Sequence, residues 1–279
     1  MSIGVVTDSA SDLPAELASS SGVVVVPLEV RLGSLPEDEL RGISPQRFWE
    51  LEERVDGLAE TAAPSPGDFA AACTQLRDQG CSGVVCVTIS SKLSATHQAA
   101  LTGAEVVDGI DVEVVDSLTA TMGEGLLVLE AVEAASSGSD LHEVAAAVRD
   151  TVAEIEVIGT LDTLENLRRG GRIGSAQAFI GSMLSIKPVI EVRDGQVEGE
   201  SRQRTRSRSL RYLAQKVADA GPLKRLAVVH AAADDIEDFV GLLLELNLGL
   251  ELVVTPMGPV IGAHTGRGTI GVCWQRARR

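Results

Sequence analysis

The stretch GVVCVTISSKLSATHQ, residues 83–98, decides the class of fold. Its first part, Gly83–Thr88, is rich in β-branched residues and predicts a buried strand. Serine and threonine then become frequent, and a helix is predicted over Thr96–Val107. A strand that passes through a polar turn into a helix is the repeating unit of a parallel α/β sheet. The stretch therefore predicts an α/β fold.

The rest of the N-terminal half repeats this alternation. Predicted strands are Ile3–Val6, Val23–Val30 and Val112–Val115, and predicted helices are Leu13–Ser20, Pro45–Leu58, Gly67–Gln79, Gly123–Ala135 and Leu141–Val152. Gly22, Gly80 and Gly109 stand where helices are expected to end.

A second α/β unit is predicted to begin near Glu154. Its predicted helices are Leu164–Arg169, Ser207–Ala220 and Ile236–Leu246, and its predicted strands are Ile186–Glu191, Gln196–Gly199, Leu226–His230, Leu252–Pro256 and Ile270–Trp274. A chain of 279 residues exceeds the size that one core usually serves. We therefore expect two α/β domains with mainly parallel sheets, residues 1–154 and 155–279.

The charge balance excludes some classes of partner. The formal net charge is -16, which disfavours nonspecific binding to nucleic acid or to anionic membranes. Against this background, ten of the 24 lysines and arginines fall between Arg168 and Arg211. A local positive field is expected there.

The cysteines and the N-terminus give no sign of an extracellular protein. Cys73, Cys81, Cys86 and Cys273 form no CxxC pair, and buried thiols are expected rather than disulfides or a metal site. The first residues lack the pattern of a signal peptide, and no apolar stretch is long enough to span a bilayer. The cytoplasm is therefore the expected location.

Two strand-to-helix turns are candidate ligand sites. The turn Ser90–Thr96 offers several hydroxyls beside the free amides of a helix N-terminus, which suits a carboxylate or a phosphate. The first turn, Thr7–Leu13, has the same position in the fold, at the carboxyl end of a strand. Simple helix capping is the alternative in both places, with Ser11 or Asp12 as the N-cap of the first helix.

Further candidates come from cationic and glycine-rich segments. Three arginines, Arg168, Arg169 and Arg172, lie near the end of the predicted helix Leu164–Arg169. Others crowd residues 202–208, where guanidinium groups could meet an anion or simply be solvated. His264 lies in a glycine-rich segment that we interpret as a turn, where a histidine is more plausible at a site than in a core. The segment containing Thr61, by itself, predicts only a rigid entrance to the next helix.

The motifs of several enzyme classes are missing. The sequence contains no GxSxG elbow, no GxxxxGK[ST] phosphate loop and no GxGxxG after the first strand. The histidines show no metal-binding spacing. A kinase that acts alone is therefore disfavoured, and neither a metal nor a cofactor is expected.

Taken together, these motifs in this order resemble those of the DegV family. The matching pieces are Thr7-Asp8-Ser9 with Asp12-Leu13, Pro27-Leu28, Pro64-Ser65-Pro66-Gly67-Asp68-Phe69, Ser90-Ser91 with Leu93-Ser94 and Thr96, Asp116-Ser117, Thr163-Leu164-Glu165, Leu167, Gly170-Gly171-Arg172-Ile173, Ile186-Lys187-Pro188, Asp194-Gly195, and His264 with Gly266 and Gly268. The resemblance covers essentially the whole chain.

The resemblance implies a ligand and a partner. It implies a two-domain α/β protein that buries a long-chain fatty acid in a tunnel, and some members are similar to the binding subunit of a bacterial fatty acid kinase. There a separate ATP-binding subunit phosphorylates the carboxylate to an acyl phosphate. By this likeness, Thr61 and Ser94 would bind the carboxylate, with Arg204 and His264 nearby. Ser91 and Arg172 are further implied site residues, and Arg172, Arg204 and His264 would assist the transfer.

The sequence departs from the family pattern near the expected head group. Ala62 and Ala63 replace a polar pair, Ala95 stands where glycine is usual, and His97 stands where tyrosine is usual. Two other functions stay open. One is a self-sufficient hydrolase or phosphotransferase, with Asp8 or Ser94 as nucleophile and His264 as base. The other is a lipid-responsive regulatory module that docks on another protein.

Overall fold

The computed structural model describes residues 2–36, 40, 42–55, 57, 59–179 and 186–278. Within these ranges strands and helices alternate along most of the chain, which confirms the predicted α/β class. No helix there combines the length and the apolar character that a membrane crossing requires.

The described strands are β1 Ile3–Asp8, β2 Val24–Val26, β3 Glu29–Arg31, β4 Glu60–Ala62, β5 Gly83–Thr88, β6 Asp111–Asp116, β7 Ile155–Thr160, β8 Lys187–Arg193, β9 Gln196–Gln203, β10 Leu223–His230, β11 Leu252–Pro256 and β12 Ile270–Arg276. The described α-helices are α1 Ala15–Ser20, α2 Pro45–Glu52, α3 Pro66–Asp78, α4 Thr96–Glu105, α5 Met122–Ser136, α6 Leu141–Thr151, α7 Glu165–Arg169, α8 Arg206–Asp219, α9 Ile236–Leu244 and α10 Pro259–Thr265. Short 3₁₀ turns cover Ser9–Ser11, Val152–Glu154 and Gly174–Phe179.

The first sheet is parallel, as predicted. Its strand order is β2-β1-β5-β6, and every residue of β5 is buried. Helix α3 begins where its sequence signals it, because Ser65 and Asp68 form a reciprocal capping box around Pro66. The alternation of strand and helix in this half therefore follows directly from local sequence.

The second sheet corrects the prediction of mainly parallel sheets. Its order is β11-β10-β12-β7-β8-β9, and of these neighbours only β10 and β11 run parallel. Strands β8 and β9 are joined by Asp194 and Gly195, both with positive φ, as in a tight hairpin. So short a connection permits only antiparallel pairing, since parallel strands need a long crossover.

Several elements differ from the predicted ones. Pro27 divides the predicted strand Val23–Val30 into β2 and β3, and β3 pairs with the unpredicted β4. Strand β7 was also not predicted, although it lies inside the second sheet. The predicted helix Pro45–Leu58 ends earlier, at Glu52, and residue 58 lies outside the described residues.

Two other local predictions, a helix cap and a turn, were wrong. Helix α1 has Pro14 at its N-cap without a side-chain cap, so neither Ser11 nor Asp12 caps it. The predicted turn around His264 is helix α10, which starts at Pro259, a residue suited to the first helical position.

Helix α5 lies between the two sheets and packs against both. Almost its whole first half is buried, from Met122 to Val128, and Gly123 allows close approach to Val157 of the second sheet. Three of the cysteines are buried free thiols, as predicted, whereas Cys81 is partly exposed.

Candidate functional site

A cavity opens between one face of the second sheet and elements of the N-terminal half. Its volume is about 190 Å³, which is more than ten times what one water needs. Most of the wall is aliphatic. The floor is formed by β7, β8, β10 and β12, and α10 and the turn before α4 contribute to the opposite side.

One end of the cavity is polar. Thr61 Oγ1 lies 2.8 Å from His264 Nε2, and Ser94 and Arg172 line the same cavity. Thr61 is placed by β4, where it pairs with Val30 of β3. This short strand and helix α10 bring together two residues that are distant in the sequence.

Helix α10 is held in place by two bonds at its start. The side chain of Asp12 accepts a hydrogen bond from the N–H of Gly258 at 2.8 Å, and the indole N–H of Trp49 donates to the carbonyl of Met257 at 3.0 Å. Both bonds involve residues of the N-terminal half. The orientation of His264 therefore depends on residues far from it in the chain.

The imidazole of His264 is neutral near pH 7. Burial and, to a smaller extent, the positive charge of Arg172 together lower its pKa to about 4. Nδ1 is buried and has no hydrogen-bond partner among the described residues. Gly170 packs against the ring so closely that any Cβ there would collide with it. A neutral ring can donate or accept a hydrogen bond, depending on its tautomer.

The predicted anion turn is built around serine and threonine. The hydroxyls of Ser94 and Thr96 are 2.8 Å apart, and the Thr96 N–H donates to Ser94 Oγ at 3.3 Å. Ser90 is buried and donates to the Gly195 carbonyl at 2.8 Å, which ties the turn to the second sheet. Of the two serines, only Ser94 lines the cavity.

Arg172 stands between the cavity and an outer groove. Its guanidinium donates to the carbonyls of Leu93 at 3.1 Å and Gly170 at 2.7 Å. The groove shares Ser94 and Arg172 with the cavity. Ser91 is exposed and lines the groove rather than the cavity.

Arg204 lies outside the cluster of polar residues at the end of the cavity. It is exposed, follows the end of β9, and is absent from the described residues that line the cavity. Val197, on the same strand, does line the cavity. Arg204 is seven residue steps further along the chain, about 23 Å for an extended backbone.

The substitutions relative to the family pattern fall partly in the cavity. Ala62, Ala63 and Ala95 line it, and the methyl group of Ala95, which stands where glycine is usual, narrows the space near the polar end. His97 does not line it, and its Nδ1 lies 3.0 Å from Thr88 Oγ1.

Neither of the nucleophiles predicted from the sequence, Ser94 or Asp8, is paired with His264 among the described contacts. The Ser94 hydroxyl bonds to Thr96, and Asp8 is buried with its oxygens bonded to the amides of Ala10 and Ile89. The described contacts of His264 do not include either side chain. Across the described residues, no group of three or more His, Cys, Asp or Glu side chains could hold a metal ion.

The apolar walls were not predicted. Ile190, Val157 and Val229 lie on separate strands, and only the strand register places them on one face. Glu191 and Thr265 also line the cavity and were not predicted. Most of these residues were predicted as strand or turn positions, and Val157 belongs to the unpredicted β7, so the sequence did not indicate a shared cavity.

Comparisons with known proteins agree across the chain. The sequence profile of the DegV family matches residues 2–277. A DegV domain-containing protein of Mycobacterium tuberculosis is 38% identical over 279 residues, which cover 98% of this chain and 97% of the relative. One of Streptomyces coelicolor is 35% identical over 274 residues, with 97% of each chain covered.

Solved structures agree as well. A DegV family protein from Thermus thermophilus, whose structure is described as fatty acid binding, has a TM-score of 0.89 at 34% identity, with 99% of this chain and 100% of that chain covered. DegV from Bacillus subtilis, described as a fatty acid binding protein, has a TM-score of 0.86 at 29% identity, with the same coverage. The profile match and these near full-length relatives show that the chain belongs to the DegV family.

Proposed function

We propose that the protein binds one long-chain fatty acid, with its acyl chain in the cavity and its carboxylate at the polar end. The observation that carries this proposal is an aliphatic cavity that ends at Thr61, Ser94, Arg172 and His264. The Thermus thermophilus and Bacillus subtilis relatives, both described as binding fatty acids, support it.

Aliphatic walls can bind an acyl chain tightly. Each buried methylene contributes about 0.8 kcal/mol, so a chain of about 16 carbons has ample driving force without aromatic stacking. This suits a protein in which aromatic residues make up only 3% of the sequence.

The carboxylate needs hydrogen-bond donors, because a buried charge without partners is costly. Thr61 and Ser94 offer hydroxyls, and the guanidinium of Arg172 supplies positive charge beside them. His264 can donate through one ring nitrogen while neutral. Arg204 lies outside this cluster, so its proposed role is at the protein surface.

We further propose that the protein presents the carboxylate to a separate ATP-dependent kinase subunit and performs no chemistry alone. The sequence lacks a phosphate-binding loop, so the phosphoryl donor would have to come from another protein. The outer groove, with Ser91 and Lys92, adjoins the polar end of the cavity and offers an approach. Arg172, Arg204 and His264 would assist the transfer.

Lipid analysis tests the binding proposal. Protein purified under native conditions is extracted with organic solvent, and the extract is analysed by mass spectrometry. About one fatty acid per chain is expected. If no lipid is recovered, and the protein also fails to take up added hexadecanoate, fatty-acid binding is wrong.

A pull-down followed by an activity assay tests the kinase proposal. A kinase-like partner is expected, and with it Arg204→Ala and His264→Ala should lower phosphotransfer more than lipid binding. Equal losses in both assays would refute this division of roles. Recovery of a partner without kinase activity would instead favour a lipid-responsive regulatory module.

A further inference from the structure

The floor of the cavity carries two paired glycines. Gly159 of β7 and Gly271 of β12 are cross-strand partners, and both line the cavity. The row continues on both sides, because Ile190 of β8 pairs with Gly159 and Val229 of β10 pairs with Gly271. Four neighbouring strands thus contribute one row of residues, whose two middle positions have no side chain.

The two ends of this row belong to different apolar clusters. Ile190 packs in a cluster with Leu161 and Leu167, on the side of Arg172. Val229 packs in a cluster with Met257, away from it. The row spans three strand spacings, about 14 Å. The paired glycines therefore leave a trough that leads from one apolar cluster to the other.

The backbone at Gly159 does not require glycine. Its φ is not positive, unlike that of many other glycines in this chain. Glycine weakens a strand, and inside one it often marks a place where a ligand approaches closely. At Gly159 it weakens the strand although the backbone angles do not require it, and two features favour it there: the close carbonyl of Ile270 and the cavity that Gly159 lines.

No side chain lies close above Gly159, although a Cβ there would make a tight contact with a backbone carbonyl of β12. The three heavy atoms nearest to a Cβ at this position would all be backbone atoms of β12, the closest being the Ile270 oxygen at 3.2 Å. No side-chain atom would lie nearer than the third of these, at 3.9 Å. At Gly271, by contrast, a Cβ would lie 2.9 Å from Val229 Cγ2. A side chain at 159 would therefore project into the cavity.

We propose that the acyl chain crosses the second sheet over Gly159 and Gly271, and that Gly159 determines which chain lengths the cavity accepts. This inference rests on the proposed binding of a fatty acid. A methyl group at 159 would occupy the trough and obstruct a chain that extends past it. A shorter chain that stops before the trough would be affected less.

Competition between two chain lengths tests the inference. The full-length protein is loaded from an equimolar mixture of dodecanoate and hexadecanoate, and the bound ratio is measured by mass spectrometry. In Gly159→Ala, the ratio of hexadecanoate to dodecanoate is expected to fall about tenfold relative to the unmodified protein, since one or two methylenes lose their place. Gly159→Val should lower the ratio further.

A matched control adds the same methyl group elsewhere. Gly241→Ala lies on helix α9, where a Cβ would have no neighbour within 4 Å, and it should leave the ratio unchanged. Because the ratio is measured within one sample, a general loss of folded protein cancels. If Gly159→Val does not fold, the ratio measured for Gly159→Ala still tests the inference.

The outcomes separate this inference from the function on which it rests. If the unmodified protein binds fatty acid and Gly159→Ala shows the same ratio, the acyl chain does not cross at Gly159 and the inference is wrong. If the unmodified protein binds neither fatty acid, the proposed function fails and the inference falls with it.

Discussion

The hydroxyl of Thr61 and Nε2 of His264 lie 2.8 Å apart, although 203 positions separate the two residues in the chain. The other ring nitrogen of His264 has no partner among the described residues, so this bond fixes the orientation of the ring. The bond also joins strand β4 to helix α10 across the polar end of the cavity. A change at either residue should therefore act on the same head-group site.

Replacing Thr61 with valine tests this site. Thr61→Val keeps the branched shape and removes the hydroxyl, so we expect fatty-acid affinity to fall by about ten- to a hundredfold, as for a lost hydrogen bond to a charged group. Calorimetric titration with hexadecanoate measures the change. Thr102→Val is the matched control, because Thr102 is exposed on helix α4. Unchanged affinity in Thr61→Val would place the carboxylate elsewhere.

The protonation of His264 gives a second prediction. Its ring should titrate with a midpoint near pH 4 in the lipid-free protein, because burial and then Arg172 lower its pKa. A bound carboxylate should raise this pKa, since an opposite charge favours the protonated ring. NMR of ¹³C-labelled histidine measures both values, and His264→Gln identifies the signal. A lipid-free midpoint near 6.5 would contradict the prediction.

The same shift affects stability. As the pH falls below 6.5, the unfolded chain binds a proton at His264 before the folded protein does, so the free energy of unfolding decreases until about pH 4. Over this whole pH range, the shifted pKa of His264 lowers the free energy of unfolding by about 3 kcal/mol. His264→Gln should lack this effect, so urea unfolding should show a smaller loss of stability for this variant between pH 7 and pH 5.

The fold was predictable where local pattern is sufficient. Strand Gly83–Thr88 and the helix start at Thr96 were predicted at the residues where the structure has them. Strand β7 was missed because Glu156 and Gly159 interrupt its apolar pattern. The direction of pairing in the second sheet depends on connections between distant strands, which local periodicity does not contain.

The candidate site was also predictable only in part. Hydroxyl residues at a helix start indicated Ser94 directly, because the free amides there make a recognisable anion site. The sequence argument for His264 assumed a glycine-rich turn, but its segment is a helix. The position of Arg204 away from the cavity, and the cavity wall itself, follow from strand register and from packing between the two halves of the chain.

Asp12 provides a further prediction. The pKa of its carboxyl is raised to about 7, because burial, with a smaller contribution from the negative charge of Asp8, outweighs the lowering effect of the hydrogen bonds from Thr121 and Gly258. The folded protein therefore binds this proton more tightly than the unfolded chain. Stability should fall as the pH rises from 3.8 towards 7, because a buried carboxylate must form.

Asp12→Asn removes this cost and can keep both hydrogen bonds, accepting from Gly258 and donating to Thr121. We expect the difference in unfolding free energy between variant and parent to grow in favour of the variant by about 2 to 3 kcal/mol between pH 5 and pH 8. Urea unfolding at the two pH values measures it. An effect of asparagine on stability that is equal at both pH values cancels in this comparison. A difference that does not change with pH would show that Asp12 titrates normally.

The contact of α5 with the second sheet provides the last prediction. Glu130 accepts hydrogen bonds from Lys224 at 2.8 Å, Arg225 at 2.6 Å and Gln275 at 2.9 Å. Burial alone would raise the pKa of Glu130, but these bonds lower it to about 2. The folded protein thus favours the charged form, which stabilises it by about 3 kcal/mol above pH 4.5 and less as the pH falls towards 2.

Glu130→Gln should therefore destabilise the protein at pH 7 by about 2 to 4 kcal/mol, because two cations lose a partly buried partner. Glu133→Gln is the matched control. Glu133 contacts the same Lys224 and Arg225, but its side chain is 53% exposed, so its loss should cost less than about 1 kcal/mol. At pH 2 the Glu130→Gln variant and the parent should differ much less. Equal effects of the two substitutions at pH 7 would mean that burial does not strengthen the Glu130 ion pairs.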